Sequence, residues 1–258
     1  MLLVLDLGNT ELTVGAFTGD QLLAHWRLTS MERTPDEWAF TLTGCLGQAG
    51  HSTEEVRAAV VASVAPPIAR GLSDGLARAT GRLPQMVEAS TPLPLTLDVD
   101  EPLTVGADRV VNALAAVELY GRDAVIVDFG TATTFDCVTA DRRFIGGVIM
   151  PGLWTAGRDL VRRAAKLPAA ELVAPPAVIG RRTEHCLQAG LLFGTAEAVD
   201  GIVRRIRAAW PDGGVPHVVA TGGLAGIVAP HCSMVAEVHP TLTLHGLRLA
   251  ATHLGATW

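Results

Sequence analysis

Leu3-Val4-Leu5-Asp6-Leu7-Gly8-Asn9-Thr10 stands at the start of the chain, and Val125-Ile126-Val127-Asp128-Phe129-Gly130-Thr131-Ala132 restates it near the middle. Each copy is a run of buried-strand residues, then Asp, one apolar residue, Gly and a small polar residue. A rigid strand places the carboxylate at its end. Glycine lets the backbone approach a ligand closely, and the N–H groups and hydroxyls of the following turn can bind phosphate oxygens. A carboxylate next to phosphate calls for a cation between them, so each copy also implies a bound ion.

The repeat extends further. Val60-Val61-Ala62-Ser63 and Val218-Val219-Ala220-Thr221-Gly222-Gly223 share a strand-then-small-residue pattern, and each follows one of the Asp-x-Gly elements in the same order. A duplicated α/β unit is therefore expected. In the first half, strands are read at 2–6, 12–17, 21–28 and 58–63. One helix starts at Thr34-Pro35-Asp36-Glu37 and another after Pro67. Residues 90–105 read as an irregular connection, and Gly106 to Tyr120 as a helix with an apolar face ended by Gly121. The second half repeats the scheme, with strands near 123–128, 132–138, 143–149 and 216–221. Its helices are expected around Arg158–Ala165, over 183–209 and from about 242. The expected fold class is α/β, with duplicated mixed sheets flanked by helices and facing each other across a cleft.

Composition narrows the function. Apolar residues make up 49% and charged residues 18%, as in a well-packed globular protein. The net charge of −6, without a basic block, argues against nucleic acid as the main partner. Cys45, Cys137, Cys186 and Cys232 form no C-x-x-C pair, so neither zinc nor a redox motif is indicated and a reducing cytoplasm fits. The N-terminus lacks a basic region ahead of its apolar run, so no signal peptide is expected. The apolar stretch Gly213–Ala236 contains five glycines and two prolines, which favours strand, turn and helix over a membrane span.

Asp6, Gly8, Asn9 and Thr10 form one candidate phosphate site; Asp128, Gly130, Thr131, Thr133 and Thr134 form another. Lys166 is the only lysine among twenty basic residues and no G-x-x-x-x-G-K-[ST] occurs, which excludes a P-loop. Bound cations and backbone amides are then the expected neutralisers of phosphate charge. Gly106-Ala107-Asp108-Arg109 is the third element. Asp108 falls in the first turn of a helix, where its charge is favoured, and Arg109 can hold a carboxylate or phosphate in bidentate fashion. By itself this tetrapeptide reads as a helix cap rather than as a site.

Taken together, Asp6-Leu-Gly-Asn-Thr10, Ala62-Ser-Val-Ala-Pro-Pro67, Gly106-Ala-Asp-Arg-Val-Val-Asn112, Val127-Asp-Phe-Gly-Thr-Ala-Thr-Thr-Phe-Asp136, Gly146-Gly-Val-Ile-Met-Pro-Gly152, Ala165-Lys-Leu-Pro168 and Ala220-Thr-Gly-Gly223 resemble the type III pantothenate kinases, within the acetate and sugar kinase, heat-shock 70 and actin superfamily. The resemblance covers nearly the whole chain in order. It implies two ribonuclease-H-like subdomains at 1–105 and 122–258, joined by a helix at 106–121 that carries G-A-D-R. It implies ATP-dependent phosphorylation of pantothenate to 4'-phosphopantothenate, the first step of coenzyme A biosynthesis, in a cytoplasmic homodimer.

By the same resemblance, Asp6, Leu7, Gly8, Asn9, Thr10, Glu11, Leu12, Thr13 and Thr131 would bind ATP, with Asp6 holding Mg2+ through water. Asp128 would hold K+ or NH4+. Gly106, Ala107, Asp108 and Arg109 would bind pantothenate with Asp108 as general base, and Thr183 would reach the substrate near the subunit interface. Three positions depart from the family pattern: Val99 where Tyr is frequent, Glu11 where Asn is usual, and Ala156 where Ser is common. The competing expectations are a non-catalytic regulatory relative and a kinase for another small alcohol.

Overall fold

The computed structural model describes all residues from Met1 to Trp258. The first half carries β1 (Leu2–Leu7), β2 (Glu11–Thr18), β3 (Gln21–Thr29), α1 (Pro35–Gln48), β4 (Ala58–Ser63), α2 (Pro66–Thr80), β5 (Gln85–Val87), β6 (Thr96–Leu97) and α3 (Ala107–Tyr120). The second carries β7 (Ala124–Phe129), β8 (Ala132–Val138), β9 (Arg143–Pro151), α4 (Leu153–Arg163), α5 (Thr183–Ala208), β10 (His217–Thr221), α6 (Ala225–Val228), β11 (Glu237–Val238) and α7 (Leu242–His253). The expected strands and helices are present. The connection at 90–105 holds the two-residue strand β6, which its prolines had masked.

The two halves share one plan. The first sheet runs β3-β2-β1-β4-β5 and the second contains the run β9-β8-β7-β10-β11. In each, the Asp-bearing strand pairs antiparallel with the strand after it and parallel with a later one. This correspondence of order and direction is what a duplicated unit produces.

Two compact units divide the chain: Met1–Ala115 with Leu242–Trp258, and Ala116–Thr241. In the first, alternation along β1 separates two apolar layers. Leu3, Leu5 and Leu7 pack with Trp38, Leu42, Leu72 and Leu76 of α1 and α2. Leu2 and Val4 pack with Val111 and Leu114 of α3 and with Leu244, Leu247, Ala250 and Ala251 of α7. Helix α7, grouped by the sequence with 122–258, therefore packs against β1 and β4 of the first unit. Its small residues explain the fit, since a Cβ on Gly246 would run into the Val111 carbonyl. α1 begins with a capping box in which Thr34 and Glu37 bond each other's backbone N–H, with Pro35 in the first turn.

In the second unit, Val125, Val127 and Phe129 of β7 pack with Leu192, Ala196, Val199 and Val203 of α5 and with Ala225 and Val228 of α6. α5 is long and apolar enough to cross a membrane by length and composition, with half of that stretch buried inside the protein.

Candidate active site

The first acidic corner grows out of β1. Side chains alternate along the strand, so Asp6 shares a face with Leu2 and Val4, the layer next to α3 and α7. At the turn, the Gly8 N–H donates to the Glu11 carbonyl at 3.0 Å. A Cβ at Gly8 would stand only 3.0 Å from that same oxygen, so the tight turn favours glycine. Ser30 pins the loop from the neighbouring strand end, its Oγ donating to the Gly8 carbonyl at 2.7 Å and its N–H to the Thr10 carbonyl at 3.0 Å. Asn9 and Thr10 remain exposed at the tip. Leu7 and Leu12 are fully buried in the layer under α1 and α2, so they can offer a ligand only their backbone.

Glu11 does not stand alone against a phosphate: the Arg27 Nε donates to its Oε1 at 2.6 Å. Cross-strand register explains the pairing. Asp6 lies opposite Thr13, and Thr13 lies opposite Arg27, so the three occupy one row on one face of the sheet. The expectation that only ions and backbone amides could neutralise phosphate here omitted this arginine.

The third carboxylate belongs to the helix that packs beside the C-terminal ends of β1 and β4. Val64, just past β4, donates its N–H to the Leu7 carbonyl at 3.0 Å, which ties the ends of β4 and β1 together. Gly106 lies against Val64, since a Cβ there would be 3.5 Å from Val64 Cγ1 and 2.5 Å from Asp108 Oδ1. Ala107, Val111 and Leu114 anchor α3 in the apolar layer. Asp108 is held at the helix start, where its Oδ1 accepts the Arg109 N–H at 2.9 Å. Burial pushes its carboxyl above the ordinary value, while the Arg109 N–H and guanidinium oppose that shift. A carboxyl pushed upward by burial at the start of a helix that packs beside Val64 is suited to taking a proton.

The second corner belongs to the other unit. Asp128 at the end of β7 lies opposite Thr134 of β8 and beside Thr221 of β10. Gly222 has φ +89°, and a Cβ there would collide with Asp128 Oδ1 and stand 2.7 Å from the Phe129 nitrogen. Gly152 is equally confined, facing the Gly130 and Thr131 carbonyls. The Thr131 carbonyl accepts the Gly152 N–H at 3.2 Å and Thr155 Oγ1 at 2.6 Å. The hydroxyls of Thr133 and Thr221 are buried and have no hydrogen-bond partner within the protein. Of these, Thr221 is the one in register with Asp128, so a carboxylate and a buried, unsatisfied hydroxyl share one face there, oxygen donors of the kind a hard cation takes. No group of three or more His, Cys, Asp or Glu side chains able to hold a metal occurs.

Thr183 is exposed at the start of α5. Thr155, Gly152 and Thr221 were not singled out individually from the sequence as parts of this corner. Their roles depend on strand register and on the return of α4, which composition does not reveal.

The type III pantothenate kinase family model matches residues 2–205. The chain belongs to this family. It is 42% identical over 250 residues to the type III pantothenate kinase of Moorella thermoacetica, covering 96% of this chain and 98% of that one. It is 44% identical over 251 residues to that of Thermomicrobium roseum, covering 97% and 96%. Among solved structures, the activator of the 2-hydroxyisocaproyl-CoA dehydratase from Clostridium difficile, with bound ADPNP, superposes with a TM-score of 0.59 at 15% identity, covering 100% of this chain and 98% of that one. Component A of the Acidaminococcus fermentans (R)-2-hydroxyglutaryl-CoA dehydratase gives 0.57 at 14%, covering 98% and 96%. These structural likenesses establish the fold, and the pantothenate kinase relatives establish the family.

Proposed function

We propose that this chain transfers the γ-phosphoryl group of ATP to the primary hydroxyl of pantothenate, yielding 4'-phosphopantothenate at the start of coenzyme A biosynthesis. The observation that carries the reading is that Val64 ties the end of β4 to the end of β1, which leads into the Asp6 loop, while Gly106, next to Asp108, lies against that same Val64, in a chain of this family. Phosphoryl transfer asks chiefly for alignment and charge neutralisation. The Asn9–Thr10 tip offers backbone donors to the phosphates. Arg109 is the partner for the pantothenate carboxylate. Asp108 accepts the hydroxyl proton as the oxygen attacks.

Asp6 would hold Mg2+, through water, and Asp128 with its surrounding oxygens would hold K+ or NH4+. When bound, these ions offset negative charge on the phosphates. Val99 is half-buried where the family often carries Tyr, which leaves the substrate pocket without that hydroxyl. A cytoplasmic homodimer is the working assembly. In its favour, Trp154, Leu160, Val178 and Ile179 leave apolar surface exposed in the same unit as Thr183.

Incubation with ATP, Mg2+ and K+ and a mixture of small alcohols, followed by mass spectrometry, tests the reaction. A phosphate ester of pantothenate alone is the expected product. Phosphorylation of a different alcohol, with pantothenate untouched, would replace the assignment with a kinase of another specificity.

A further inference from the structure

We propose that Arg27, oriented by Glu11, is a nucleotide-binding residue that contacts the phosphate chain at the first acidic corner. The inference rests on the reading that this corner takes ATP phosphates. Its geometric basis is the register: Arg27 on β3, Thr13 on β2 and Asp6 on β1 form one cross-strand row. Two strand spacings, about 10 Å, separate the Arg27 and Asp6 backbones. Arg27 is turned toward the loop end of that row, where its Nε meets Glu11, the residue that follows the Asn9–Thr10 tip.

The charge arrangement supports the role. Glu11 takes only the Nε of Arg27, at 2.6 Å, which fixes the plane of the guanidinium and leaves its two terminal nitrogens without a hydrogen bond. The arginine side chain is 49% exposed and the glutamate 38%, so a ligand can reach both. Terminal guanidinium nitrogens in a fixed plane suit phosphate oxygens. Glu11 then acts as a positioning residue, and its negative charge is offset by the group that it orients. The second unit supplies a contrast. There the equivalent row, Asp128–Thr134, continues to Ile149 on β9, an exposed apolar side chain. An arginine in this row is thus a property of the first corner alone.

Calorimetric titration of the full-length protein with Mg–ATP, in the absence of pantothenate, tests the proposal for wild type, Arg27→Gln, Glu11→Gln and the double variant. Arg27→Gln is expected to weaken ATP binding about tenfold or more, as for loss of a hydrogen bond to a charged group. Arg27→Lys should recover part of that loss. In steady-state assays the KM for ATP should rise while the KM for pantothenate holds, a split that general destabilisation does not produce. The double variant should remain weaker than Glu11→Gln. If it binds ATP as wild type does, Arg27 serves only to neutralise Glu11 and the proposal is overturned; unchanged binding by Arg27→Gln overturns it too. Because the titration needs no acceptor, failure of pantothenate turnover in wild type would be seen separately and would count against the reaction assignment instead.

Discussion

At the scale of single residues, Asp108 faces two opposing demands. Burial favours its neutral form and the general-base role needs the charged one. Its folded-state pKa lies above the unfolded value, so its contribution to stability is fully present at low pH and is lost as pH rises through the folded pKa. Asp108→Asn keeps the shape and removes the buried charge. The variant should therefore unfold, at pH 8, at a temperature equal to or above that of wild type, while turnover falls by roughly 10²–10⁴-fold, the usual worth of a general base. A thermal melt and a rate assay on the same sample check both halves; a less stable variant with near-normal turnover would remove Asp108 from this role. The wild-type rate should also rise with pH along a limb lying above the ordinary carboxylate range.

At the scale of elements, glycines set where the loops can go. Gly222→Ala places a methyl group against Asp128 Oδ1 at a backbone φ of +89°. A cost of about 1–3 kcal/mol is expected from strain of this kind, seen as a lower denaturation midpoint, together with loss of any preference for K+ over Na+ in the rate. Gly246→Ala is the informative counterpart. Its methyl group meets the Val111 carbonyl where α7 crosses α3, so it should cost a similar amount. Because that crossing lies away from the Asp128 corner in the chain's packing units, the K+ preference should survive. Equal cation behaviour in the two variants would detach Gly222 from the ion site.

These elements also mark what the sequence could and could not convey. The Asp-x-Gly corners and the helix after Gly106 were legible because each is a local pattern: an apolar run, a carboxylate, a glycine. Arg27 was not, because its relation to Asp6 passes through two strand registers. The packing of α7 on the first unit was hidden for the same reason. Its apolar face is evident in Leu244 and Leu247, but nothing local says which sheet it covers.

At the scale of the whole molecule, one plan is used twice for two tasks. Both sheets end an Asp-bearing strand beside a small-residue turn, yet one corner carries Arg27, while the other carries Thr221 and Gly222 against its carboxylate. Duplication supplied the scaffold, and side chains at matching positions divided the chemistry. Replacing K+ with Na+ should lower the wild-type rate sharply, and Asp128→Ala should erase the difference; equal wild-type rates in both salts would contradict a monovalent site.

The most direct measurement is ADP release by the purified protein with ATP, Mg2+ and K+, recorded before and after pantothenate is added. The account predicts negligible release beforehand and sustained release afterwards, with one phosphopantothenate formed per ADP. Release that ignores pantothenate, or no release with it, would contradict the account.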